Sequence, residues 1–95
     1  MSTLFESIHN HHEQAVFEAV RASADSYPLL GQRQLLADVA CVALNRMLPR
    51  YIRHEVYFSF YLSDRERRQT ARDIAESVQF AFEYVQARSA MLARS

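Results

Sequence analysis

A chain of 95 residues that is 49% apolar, with one Gly and two Pro, excludes intrinsic disorder and suits a single domain over residues 1–95, built from long helices with few connections. A formal charge of zero excludes the broad cationic field on which general DNA or RNA binding depends. The lone cysteine excludes an internal disulfide and fits a reducing cytoplasm, and so small a domain exposes much of its surface unless it pairs, so a homodimer is expected.

The chain opens on Met1-Ser2-Thr3-Leu4-Phe5-Glu6, which lacks the basic and apolar regions of a secretory signal, so none is expected. Thr3 and Glu6 have capping-box spacing, and Leu4, Phe5, Ile8, His12, Ala15, Val16, Ala19 and Val20 recur at helical steps. They predict a first helix from near Thr3 to about Ala24. His9, His11, His12 and Glu13 are the densest group of potential metal ligands, but only His54 remains to complete a shell. A solvated or hydrogen-bonding histidine cluster is the expectation, and no metal is assigned. Asp25-Ser26-Tyr27-Pro28 and Gly31 mark a connection, with Leu29 and Leu30 expected to tuck into the core.

A second helix is predicted from Arg33 or Gln34 to about Met47. Its run from Val39 to Leu44 is apolar without interruption, the pattern of a central helix covered on several sides, and it places Cys41 in the core. Asp38 and Asn45 lie nearly two turns apart on one side and are expected to tie the helix to neighbouring segments. Pro49 then stops it. From Arg50 to Leu62 the composition is aromatic and β-branched, which predicts an extended segment, a candidate β-strand, although its apolar positions do not alternate. Tyr57, Phe58, Phe60 and Tyr61 would leave a lone strand with aromatic surface in water, so they are the candidate dimer contact. Ser63-Asp64-Arg65-Glu66 is a further capping box, opening a last helix to about Ala90 with Ala71, Ile74, Ala75, Val78, Phe82 and Val85 on its inner face. No run approaches the roughly 18 apolar residues of a membrane span.

Charge is uneven along this order. Residues 46 to 72 hold seven arginines against three carboxylates, while the flanking stretches are net acidic. All eleven basic residues are Arg, which grips phosphate or carboxylate through two parallel hydrogen bonds, although a solvated basic face is the plainer reading. No glycine-rich phosphate loop and no nucleophile beside a base is present. The helix neighbours Asp73 and Glu76 read as solvated, so no catalytic activity is expected.

Taken together, Asp38-Val39, Ala43-Leu44-Asn45-Arg46 and Pro49-Arg50-Tyr51, followed by an extended linker and a final amphipathic helix, resemble the late competence development protein ComFB family. His9-Asn10, Glu13 and Val16 agree with that family's N-terminal pattern. The resemblance covers about residues 8 to 86. It implies a bacterial, mainly α protein: three main helices with a short extended aromatic segment between the second and the last, non-enzymatic, regulatory and homodimeric. Some members bind zinc through cysteines before the Asp-Val pair. Here those positions hold Leu30, Gln32 and Leu35, which cannot supply a zinc shell, so no metal and no cofactor is expected.

Some members are receptors for cyclic dinucleotides linked to competence, motility or surface behaviour. Extended to this chain, that role makes Asn45, Arg46, Arg50, Tyr51 and Arg53 the candidate ligand-binding residues, with guanidinium groups on phosphate and a tyrosine against a base. The ligand would be cyclic di-GMP or cyclic di-AMP. The alternative is a protein interaction module without a small ligand, docking through its aromatic surface and last helix.

Overall fold

The computed structural model describes residues 4–27 and 33–93. Two short strands, β1 (His9–Asn10) and β2 (Tyr51–Ile52), and four helices, α1 (Glu13–Ser23), α2 (Arg33–Arg46), α3 (Glu55–Phe60) and α4 (Asp64–Ala93), make a mainly helical fold. A single 3-10 turn at Ala24–Ser26 follows α1. The predicted connection over Pro28 to Gly31, with Leu29 and Leu30, lies outside the described residues, as does Thr3 of the first capping box.

The core forms where α1, α2 and α4 meet. Val16 and Val20 of α1, Val39, Ala40 and Ala43 of α2, and Val78, Ala81, Phe82 and Val85 of α4 are all buried. Steps of three and four place each set on one face of its helix. Along α4 the 3.6-residue turn carries the stripe from Ile74 through Val78 to Phe82, which leaves Ala71 and Ala75 exposed to one side. Tyr27, just after the 3-10 turn, stacks on Phe82 with ring centroids 4.4 Å apart, closing the end of the core.

α4 starts as its capping box dictates. The Ser63 hydroxyl accepts the Glu66 N–H at 3.1 Å, while the Glu66 carboxylate lies 3.2 Å from the Ser63 hydroxyl and accepts the Ser63 N–H at 3.5 Å. Its 30 residues correspond to a rod of about 45 Å, nearly the 48 Å length of the molecule.

Besides the inner-face positions expected of Ala71 and Ala75, three expectations are corrected. The first helix does not begin near Thr3. Residues 4–7 form a turn, β1 follows, and α1 starts only at Glu13. The cause is non-local, because β1 pairs antiparallel with β2 in the register His9↔Ile52 and Asn10↔Tyr51, and the His11 N–H donates to the Arg50 carbonyl at 2.7 Å. A backbone committed to that ladder cannot be helical, and Leu4 and Phe5 are left exposed.

The aromatic stretch is extended only at Tyr51–Ile52, and Glu55–Phe60 is a short helix. Tyr57, Phe58, Phe60 and Tyr61 lack the alternation that a half-buried strand requires, and a helix turns Phe58 inward while leaving the others exposed.

Cys41 is exposed, not part of the core. It lies about 100° round α2 from Ala40 and 200° from Val39, turned off the buried face of the helix. There it borders a shallow apolar groove with Phe17, Val20, Leu36 and Leu44.

Candidate functional site

The exit of α2 defines a cleft of about 660 Å³. Pro49 breaks the helix, and the chain turns through Met47, Leu48 and Pro49 to Arg50, which form one wall with Arg46. Thr70, Asp73, Glu76 and Ser77 on α4 form the opposite wall, and His12 borders the cleft at the start of α1.

A buried carboxamide holds these segments together. Asn10 is 7% exposed, and its side-chain oxygen accepts the backbone N–H of Arg50 at 2.9 Å and that of His12 at 3.3 Å. One side chain thus fixes both backbone positions that flank the cleft, and β1–β2 pairing continues the clamp outward.

The two arginines are oriented by aromatic rings. The Arg46 guanidinium lies 3.9 Å from the centroid of Phe80, and that of Arg50 lies 4.7 Å from the centroid of Phe58. Arg50 also faces the Glu66 carboxylate at 3.6 Å, an exposed pair that an incoming anion can replace at little cost. Asp73 and Glu76 add carboxylates, and Thr70 and Ser77 add hydroxyl groups. His12 is buried, and its Nδ1 has no hydrogen-bond partner. Burial, then the neighbouring His11 and the Arg50 charge, push its pKa below the ordinary 6.5, while Asp73 opposes them.

A different cluster lies on the far side of β1. His9 Nε2 is 3.2 Å from the Glu55 carboxylate, and His11 Nδ1 is 3.2 Å from both of its oxygens. His9 Nδ1 is 3.0 Å from the Ser7 carbonyl, which can only accept, so both ring nitrogens face acceptors and the imidazolium is favoured. The His9 pKa is accordingly raised, first by the Ser7 carbonyl and then by Glu55. The Glu55 pKa is lowered by its histidine partners, His11 first, against the opposing effect of burial. The cluster pins α3, which has no buried residue of its own, to the segment before α1.

The sequence-derived candidates separate. Arg46 and Arg50 share the cleft, whereas Asn45, Tyr51 and Arg53 are exposed and do not line it. Tyr57, Phe60 and Tyr61 stand in water at 66%, 80% and 84% exposure, while Phe58 lies half-buried with His11 edge-on at 4.6 Å. Asp38 ties α2 to α4 through Arg88 at 3.4 Å. The sequence carries no site signal for Thr70 or Ser77; Asn10 enters the reading only through the family pattern, and His12 through the helical spacing and the histidine cluster.

Leu35, at one of the family's cysteine positions, packs against the core, and Leu30 and Gln32 lie outside the described residues. Among the described residues no three His, Cys, Asp or Glu side chains form a group that could hold a metal ion, and no helix is long and apolar enough to cross a membrane.

The fold defines a small, mainly helical protein with a cleft at the exit of its second helix. The family model described as late competence development protein ComFB matches residues 9–89, and the chain belongs to the ComFB family, which has no known catalytic activity. No curated protein and no solved structure matches it.

Proposed function

We propose that the chain is a non-enzymatic regulatory receptor that takes a cyclic dinucleotide in the cleft at the exit of α2, and that it works as a homodimer. The observation that carries this reading is the placement of the Arg46 and Arg50 guanidinium groups on one cleft whose volume, about 660 Å³, falls within the roughly 300–1,000 Å³ usual for small-molecule sites. Each guanidinium is held over a ring and keeps N–H groups for a phosphate oxygen. Asp73 and Glu76 offer acceptors to the N–H groups of a base edge, and the hydroxyls of Thr70 and Ser77 suit ribose and phosphate.

Calorimetric titration with cyclic di-GMP and cyclic di-AMP tests the reading. Saturable binding is expected. Arg50→Ala should weaken it by roughly tenfold to a hundredfold, the value of one charge-assisted hydrogen bond. Absence of heat from either nucleotide at about 1 mM, where binding is worth only about 4 kcal/mol, rejects it.

A second reading, a protein interaction module with no small ligand, is favoured by α3. Val56, Tyr57, Phe60 and Tyr61 present adjoining exposed apolar side chains on and just beyond one short helix, a surface that suits a protein partner. In the receptor reading the same surface is the homodimer contact. Ligand indifference together with a stable complex through α3 would select the module.

A further inference from the structure

Arg46 and Arg50 rest on rings, Arg50 also faces Glu66, and Asp73 accepts a hydrogen bond from Gln69 at 2.9 Å. His12 differs from these three: it is a titratable ring in the cleft wall that is 9% exposed and has an orphaned Nδ1. A buried polar atom without a partner costs stability, and such a group calls for an explanation.

Nor does His12 serve its own helix. It occupies the N-cap position of α1 without making a side-chain cap bond, and the Asn10 oxygen takes its backbone N–H instead. The imidazole is therefore positioned by its backbone and its packing, with hydrogen-bonding capacity to spare beside two arginines.

We propose that His12 is the proton-accepting member of the cleft, becoming charged when a phosphate group of the ligand enters beside Arg50, so that ligand binding is coupled to proton uptake. The inference rests on the cleft being the ligand site. Without a ligand, the ring meets His11 at a centroid distance of 5.4 Å on the preceding segment, the Arg50 charge from beyond α2, and the opposing Asp73 on α4. Arg46 and Glu76 complete the charges of the cleft. Burial, His11 and Arg50 outweigh Asp73 and favour the neutral form of the free imidazole. A phosphate neutralises the Arg50 charge and gives a ring N–H an acceptor, and both changes favour the imidazolium.

The sign follows from linkage. His12 binds its proton more tightly in the complex than in the free protein, so binding takes up a proton between the two titration points. Affinity then falls with rising pH in that interval, by up to about tenfold per pH unit.

The experiment titrates the full chain with cyclic di-GMP in phosphate-free buffers of different ionisation enthalpy, from pH 5.5 to 8, alongside His12→Gln. The His12 ring signal of the unaltered protein is followed by NMR with and without the nucleotide. Expected are buffer-dependent heats showing uptake approaching one proton per site, a His12 titration displaced upward by ligand, and binding by His12→Gln without that uptake. Should the variant fail to fold, the ring titration of the unaltered protein decides alone. Binding with buffer-independent heats and an unmoved His12 titration overturns this inference and leaves the receptor reading intact. No binding by the unaltered protein overturns both.

Discussion

Replacing Asn10 with Ala is expected to destabilise the protein out of proportion to the size of the change. The side-chain oxygen accepts two backbone N–H groups, from Arg50 at 2.9 Å and from His12 at 3.3 Å, at a position only 7% exposed. An ordinary hydrogen bond contributes about 1 kcal/mol net, and a donor left buried without an acceptor costs about 1–3 kcal/mol. The Arg50 N–H is only half-buried and water can reach it, whereas the His12 bond is buried, so the loss should total roughly 2–4 kcal/mol. A domain of this size has about 5–15 kcal/mol in all. With a urea dependence of about 1–3 kcal/mol/M, the unfolding midpoint should fall by roughly 1–3 M. Asn10→Leu, which keeps the branched shape and lacks an acceptor, should lose as much as Asn10→Ala. A loss below about 0.5 kcal/mol for Ala, or recovery by Leu, would refute the clamp as the origin of the cleft's shape.

Phe82→Ala removes the largest fully buried side chain and the ring on which Tyr27 stacks; a loss of about 3–5 kcal/mol in denaturant unfolding is expected, and a loss below about 1 kcal/mol would contradict the core described. Docking of α3 should depend on pH through His9 and Glu55. The raised His9 pKa gives stabilisation that is full below 6.5 and lost as pH rises through its folded value. The lowered Glu55 pKa gives stabilisation present above 4.5 and lost as pH falls through its own. Amide protection in α3 should therefore be greatest between pH 4.5 and 6.5, and Glu55→Gln should flatten the profile; an unchanged profile would dismiss the cluster as the tether. On the homodimer proposal, Phe60→Ser with Tyr61→Ser should shift sedimentation from dimer toward monomer without altering helical content; an unmoved dimer would place the contact elsewhere, and a monomeric unaltered protein would overturn the proposal.

The long helices were legible because their signals are local. Ser63 and Glu66 lie three residues apart and mark the start of α4, and Pro49 marks the exit of α2 from within the chain. What escaped sequence reading depends on partners about forty residues away. The pairing of His9–Asn10 with Tyr51–Ile52 delays α1, and no periodicity in the first ten residues records it. Cys41 fell on the open side of α2 because an unbroken apolar run carries no phase by which to tell covered from uncovered positions. Arg46 and Arg50 line one cleft because α2 ends before Pro49, and His12 and the α4 residues that complete it lie far off in the chain. Tyr51 and Arg53 lie beyond Arg50 and do not line the cleft.

The most direct test of the receptor reading is a matched calorimetric titration of cyclic di-GMP into the unaltered protein, Arg46→Ala and Arg53→Ala. Arg46 is on the cleft and Arg53 is exposed outside it, so both variants lose the same charge and only one loses a cleft residue. Saturable binding is expected, weakened by about tenfold or more in Arg46→Ala and left within about twofold in Arg53→Ala. Equal weakening by the two variants would reduce the effect to general charge, and absence of binding by the unaltered protein would contradict the receptor reading outright.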